Sequence, residues 1–198
     1  GVGPRDFSVR GRGGEPLGLL QAELRHLGIA CEQPEKLRLG EQPAVQDVLA
    51  LVDALLSPGN DLALARALKS PLFSLADEDL ARVALAVRAA GDPRPSWLDV
   101  LSNTELLAQD GRRLHADLMQ CLHWLLTLPP HDALQAIYDQ RDALARFAAA
   151  APAPERDHVL AQLRALLHAA LTVQGGRFVS AYQWLRAMRR ERIPVPRH

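Results

Sequence analysis

The chain has 198 residues, 23 basic and 23 acidic side chains, a formal net charge of zero, and 48% hydrophobic but only 5% aromatic residues. That length allows one large or two small domains with a sizeable core, and the composition excludes collagenous, disordered and disulfide-rich classes. Two cysteines, Cys31 and Cys121, build neither a disulfide framework nor a four-ligand zinc site, so the fold must rest on apolar burial in a reducing compartment.

No run of about 18 apolar residues occurs, which leaves no candidate for a spanning segment. The start Gly1-Val2-Gly3-Pro4 has neither a basic end nor an apolar stretch, so the expectation is a soluble, cytoplasmic chain with no signal segment. A pI near 7.2 argues against a bulk electrostatic grip on nucleic acid. Any such grip must be local.

Phe7 and Val9 alternate with Asp6, Ser8 and Arg10, which suits a short strand. Leu17 to Leu27 then runs with helical spacing, Gly28 stops it, and Ile29-Ala30-Cys31 is a second short extended piece. This opening predicts a small β-α-β piece, the only part of the chain with a credible sheet. Everything after it predicts helices, so the fold class is mainly α.

Val45, Val48, Leu49, Val52, Leu55 and Leu56 fall on one face of a helix opening near Pro43, and Ser57-Pro58-Gly59-Asn60 ends it. Asp61 is placed to cap a second helix carrying Leu62, Ala65 and Leu68, closed by Ser70-Pro71. Asp77, Glu78 and Asp79 stand as caps where a helix N-terminus is electropositive, ahead of Leu80, Val83, Ala84 and Val87. Gly91-Asp92-Pro93-Arg94-Pro95 reads as a linker. Leu107, Leu114, Leu118, Cys121, Leu122 and Leu125 mark a long helix ending before Pro129-Pro130. Two shorter helical stretches cover Asp132 to Ala149, and Ala148 to Pro154 is an Ala/Pro hinge. Val159, Leu163, Leu166, Leu167 and Ala170 stripe another helix up to Gly175-Gly176, and a last helix spans Phe178 to Arg190. No internal repeat at a fixed period is present, which argues against a solenoid.

Catalytic motifs are missing. The cluster Gly11-Arg12-Gly13-Gly14 sits between strand and helix, where phosphate-cradling loops occur, but Glu15-Pro16-Leu17 follows in place of Gly-Lys-Ser/Thr, adding an acid and removing an amide donor. It reads as a flexible turn. There is no His-Glu-x-x-His and no Cys-x-x-Cys; His115, Cys121 and His123 lie on one helix with mixed facing, and His123 beside Trp124 reads as a partly buried side chain. No Gly-x-Ser-x-Gly elbow occurs, and Ser57, Ser70 and Ser74 occupy helix-end positions where serine caps backbone. The expectation is no catalytic residue, no metal and no cofactor site. One charge cluster remains: Arg186, Arg189, Arg190 and Arg192 follow Tyr182 and Trp184, a density of arginine that can hold DNA phosphates or complement the helix dipole, with Trp184, Leu185 and Met188 as a packed face.

Two stretches, Leu19 to Cys31 and Glu41 to Leu56, resemble the second motor domain of UvrD/Rep-like superfamily 1 DNA helicases, where a strand and helix end in a Gly-Ile-Pro/Ala step and a helix with a Val/Ile-x-Asp signature follows. The run Asn60-Asp61-Leu62-Ala63 through Leu68-Lys69-Ser70-Pro71-Leu72-Phe73 is similar to the AddA/RecB branch of recombination and double-strand-break repair helicase-nucleases, and Gly175 to Arg190 looks like the end of that branch's helical insertion. The matched signature positions are Glu41, Val45, Asp47, Ser70 and Pro71. The Gly-Ile-Gly step of the UvrD type is replaced by Leu72-Phe73-Ser74-Leu75, which offers no amide nest for a phosphate.

The resemblance implies that residues 1–70 are part of the second RecA-like (2A) domain and 71–198 a helical insertion of the 2B type. It implies a parent that is an ATP-dependent helicase, with exonuclease activity as well, using ATP and Mg and partnered by DNA and a second repair subunit. The ATP-binding lysine motif, the Asp-Glu metal motif, the arginine finger and any nuclease motif are absent from this stretch, so the expectation is a non-catalytic accessory piece excised from a larger motor, inactive alone, with no membrane and no metal partner. The alternative is a structural or protein-docking helical domain that touches no nucleic acid. A free-standing small enzyme would need converging titratable groups that the sequence does not supply.

Overall fold

The computed structural model describes residues 38–103, 105–108, 110–172 and 180–190, with Arg190 described by its backbone alone. The expected β-α-β opening, the Gly11 to Gly14 cluster, Cys31, the Gly175-Gly176 turn and Arg192 lie outside the described residues. By packing, the chain divides into two units. One is Gly1–Leu39 with Arg192–Val195; the other, Gly40–Glu191 with Pro196–His198, carries every helix described below. Packing thus places the helices on both sides of residue 70 in a single unit.

The protein is mainly α. In chain order the helices are α1 (Pro43–Leu56), α2 (Asp61–Lys69), α3 (Asp77–Ala89), α4 (Trp97–Val100), α5 (Gly111–Thr127), α6 (Pro130–Arg141), α7 (Ala143–Ala150), α8 (Arg156–Thr172) and α9 (Ala181–Arg190).

α1 is the centre of the unit, touching α2, α5, α8 and α9. Its sequence predicts one apolar face, yet Ala44, Val45, Val48, Leu49, Ala50, Leu51, Val52, Ala54 and Leu55 are all buried, which leaves hardly any of its circumference to water. A helix apolar over most of its circumference belongs in the interior, and each fully buried valine or leucine there contributes about 1.5–3 kcal/mol. Pro43 opens α1 in its first turn, where a proline lacks nothing the helix needs. α9 lies against α1 with Trp184, Leu185 and Met188 buried. Gly40 lets it approach: a Cβ there would stand 2.8 Å from the Met188 carbonyl oxygen.

Several local expectations change. α2 is capped by Asn60, whose Oδ1 accepts the Ala63 amide at 3.1 Å, and not by Asp61, whose carboxylate accepts the Trp97 amide at 2.9 Å and so ties α2 to α4. Leu62 is 83% exposed; Leu64, Ala67 and Leu68 form the buried side of α2 instead. In the first turn of α3, Asp77 and Glu78 are exposed, but Asp79 is 3% exposed and is no cap: its Oδ1 accepts Arg82 Nη1 at 2.7 Å and the Ala108 amide at 3.2 Å. α4, opened by a Ser96/Asp99 capping box, falls in the stretch that carries no helical signal in the sequence, because four residues are too few to show a periodicity. α5 starts later than the apolar pattern suggests, at Gly111 behind the cap Asp110, so Leu107 is a buried loop residue. α6 and α7 meet at Asp142 alone, held in the left-handed region at φ 51°, ψ 48°. The hinge predicted at Ala148 begins later, since α7 runs to Ala150.

Candidate functional site

The run Ser70-Pro71-Leu72-Phe73 makes a self-contained reversal at the end of α2. The buried Ser70 hydroxyl donates to the Ala67 carbonyl at 2.6 Å and accepts the Leu72 amide at 3.2 Å. The Ser74 amide reaches the Ser70 carbonyl at 2.7 Å with Ser74 itself at φ 52°, and the Leu75 amide returns to the Leu68 carbonyl at 2.9 Å. With its backbone donors met locally, the turn buries Leu72, Phe73 and Leu75.

Arg141, at the end of α6, clamps this turn from outside. Its Nε donates to the Leu72 carbonyl at 3.2 Å, its guanidinium stands 4.3 Å from the centroid of the Phe73 ring, and its Nη1 donates to Asp117 Oδ2 of α5 at 2.9 Å. Only 12% of the Arg141 side chain is exposed, so the charge is paired where water cannot screen it well.

Beside the clamp lies a cleft of about 180 Å³. Phe73, Leu75, Leu107 and Leu114 give it an apolar floor; Asp110, Arg113, Asp117, Arg141 and Arg146 line its rim. Asp110 is occupied with the amides of Arg112 and Arg113 at 3.1 and 3.3 Å, and Asp117 with Arg141. Among the described residues, the exposed side chains of Arg113 and Arg146 have no partner. Sequence reasoning missed this cleft because its residues are scattered from position 73 to 146; the Leu-x-Ser-Pro-Leu-Phe run was the one signal that led towards it.

The signature positions pin the hairpin of α1 and α2. Val45 is fully buried, Ser70 closes α2 together with Pro71, and Glu41 is exposed. Asp47 Oδ1 accepts Arg66 Nε at 2.9 Å, and Arg66 Nη2 also reaches the Pro43 carbonyl at 3.3 Å. Burial pushes the Asp47 carboxyl above its ordinary value, outweighing the hydrogen bond and the charge of Arg66, which pull it down.

Two of the four arginines nominated at the end of the chain are described by their side chains, and only one of them is engaged within the fold. Arg186 is exposed, but Arg189 donates to Asp53 Oδ2 at 2.8 Å; the side chain of Arg190, like the whole of Arg192, lies outside the described residues. His115 is half-buried, and His123 is exposed, not partly buried as the sequence suggests. Cys121 is buried, its Sγ donates to Gln140 Oε1 at 3.2 Å, and desolvation pushes its thiol up to about 12, which makes it no nucleophile at neutral pH. No group of three His, Cys, Asp or Glu among the described residues could hold a metal ion, and no described helix is long and apolar enough to cross a membrane.

No protein-family model matches the chain, and no curated protein matches it.

Proposed function

We propose that this chain is a non-catalytic accessory region of an ATP-dependent DNA helicase of the AddA/RecB type, serving as a rigid helical scaffold within the parent. The observation that carries this reading is the placement of the signature residues. Of the positions that carry the resemblance, Asp47 holds Arg66 across the α1–α2 hairpin and Ser70 holds the backbone at the end of α2, and neither these two nor Pro71 lines the cleft beside Phe73. A sequence signature made of such pins marks a folding element, not a reacting centre. The motor, with its ATP and Mg, and the duplex and partner subunit would belong to the parent.

Binding of the chain to a forked duplex, followed against salt concentration, tests the DNA part. Replacing Arg186, Arg190 and Arg192 with glutamine is expected to lower the salt slope by about three units if they hold phosphates. An unchanged slope transfers the domain to the docking alternative, which the capture of Arg189 by Asp53 and the exposed Leu62 and Tyr182 favour. ATP hydrolysis by the purified chain would overturn the accessory reading altogether.

A further inference from the structure

The cleft beside Phe73 ends in two guanidiniums that the fold does not use. Its acids are committed, Asp110 to the first amides of α5 and Asp117 to Arg141, whereas Arg113 and Arg146 extend from α5 and α7 with no side-chain partner among the described residues. Its floor is apolar, built from Phe73, Leu75, Leu107 and Leu114. The volume of about 180 Å³ is near that of the ~150 Å³ cavity known to admit benzene and well under the ~300–1,000 Å³ of typical small-molecule sites. One large apolar side chain fills it.

We infer that this cleft docks an acidic segment of a partner protein, one phenylalanine or leucine side chain entering against Leu107 and Leu114 while flanking carboxylates meet Arg113 and Arg146. Charge complementarity selects this occupant. A nucleic-acid strand would carry its regular row of phosphates past Asp110 and Asp117 with only two unoffset cations to receive it. Base stacking needs an open aromatic face, and the Phe73 ring is buried with Arg141 against it. A peptide with isolated charges around a single apolar anchor meets neither obstacle, and arginine beside an apolar notch is the usual make-up of protein interfaces. The inference rests on the cleft geometry and is independent of the helicase reading.

The test is a titration of the full chain, carrying labelled leucine methyl groups, with a synthetic peptide holding one phenylalanine between two single aspartates, followed by NMR. The expected result is shifts at the Leu107 and Leu114 methyls, and binding weakened about tenfold or more in R113E/R146E, in which two attractions become repulsions. Both arginines are exposed, and an otherwise unchanged methyl spectrum verifies that the double variant is folded. A second peptide with alanine for phenylalanine is expected to bind about tenfold more weakly, as loss of one buried anchor requires. No shift at these methyls up to millimolar peptide overturns the inference, as does equal binding of the alanine peptide. So does a single-stranded oligonucleotide that moves the same methyls and loses its effect in R113E/R146E. The forked-duplex and hydrolysis measurements depend on other residues, so failure here and failure of the helicase reading are told apart.

Discussion

Arg189 of α9 and Asp53 of α1, 136 positions apart in sequence, meet at 2.8 Å, and the Asp53 oxygen that accepts Arg189 Nη1 also accepts Asn60 Nδ2 at 3.1 Å. Since Asn60 caps α2 with its other side-chain atom, one carboxylate oxygen gathers three helices.

That sharing makes the two partners unequal. Arg189→Ala removes one half-exposed ion pair and is expected to cost about 0.5–1 kcal/mol, whereas Asp53→Ala also strands Asn60 and is expected to cost about 1–2 kcal/mol. Urea unfolding of the two variants measures the difference; equal costs would mean that the Asn60 contact contributes nothing.

Arg141→Ala is expected to destabilise by about 2–4 kcal/mol, because it deletes a charge-assisted hydrogen bond, a cation–π contact and the partner of Asp117 together. Arg141→Lys keeps the charge but cannot reach the Leu72 carbonyl, the Phe73 face and Asp117 with one planar group, and is expected to recover less than half of the loss. Chemical denaturation of both variants decides this.

Alkaline pH is expected to destabilise the fold. Cys121 is pushed up from 9.0 to about 12 and Tyr138 upward from 10.0, both by burial, so the unfolded chain ionises first and stability falls as pH rises from about 9 through the folded-state values. Tyr138→Phe is expected to flatten part of that decline while costing about 1 kcal/mol at pH 7 for its hydrogen bond to the Leu163 carbonyl. Thermal melts from pH 7 to 11 give both effects. In the native state at pH 8, alkylation of Cys121, followed by peptide mass mapping, is expected only at the rate of unfolding.

Asp47 titrates in the opposite sense to a strong salt bridge. Because burial raises its carboxyl, its contribution is most favourable below 3.8 and declines as pH rises through the folded value. Asp47→Asn keeps an oxygen for Arg66 and is expected to change stability at pH 7 by less than about 1 kcal/mol. A loss of several kcal/mol in urea unfolding would show that the ion pair outweighs desolvation after all.

Trp184 is 1% exposed, and its indole Nε1 has no acceptor among the described residues. Trp184→Phe exchanges lost packing for relief of an unpaired donor and is expected to fall within about 1 kcal/mol of the parent, against about 3–5 kcal/mol lost by Trp184→Ala. Guanidinium midpoints compare the two.

The helices were legible where apolar spacing and punctuation agree. Pro43 and Ser57 bracket α1, and Pro129-Pro130 divides α5 from α6, because proline and helix-end polar residues act locally. Where two neighbouring residues can each cap, sequence does not choose: Asn60 and Asp61 both suit the start of α2, and the nearness of the Trp97 amide draws Asp61 away. The fate of Asp79 likewise depends on Ala108, 29 positions on. The candidate site was the least legible part. Arg141 and Leu72 are 69 positions apart, and nothing local to either tells that a guanidinium will cover that carbonyl. The same holds for Arg189, which reads as a free surface cation until α9 packs on α1 and brings Asp53 to it.

Asp142 is the whole connection between α6 and α7, and Arg141 and Arg146 stand on its two sides. A single pair of backbone torsions therefore sets the angle between the two helices, and with it the spacing between Arg146 at the mouth of the cleft and the guanidinium that latches the turn beneath.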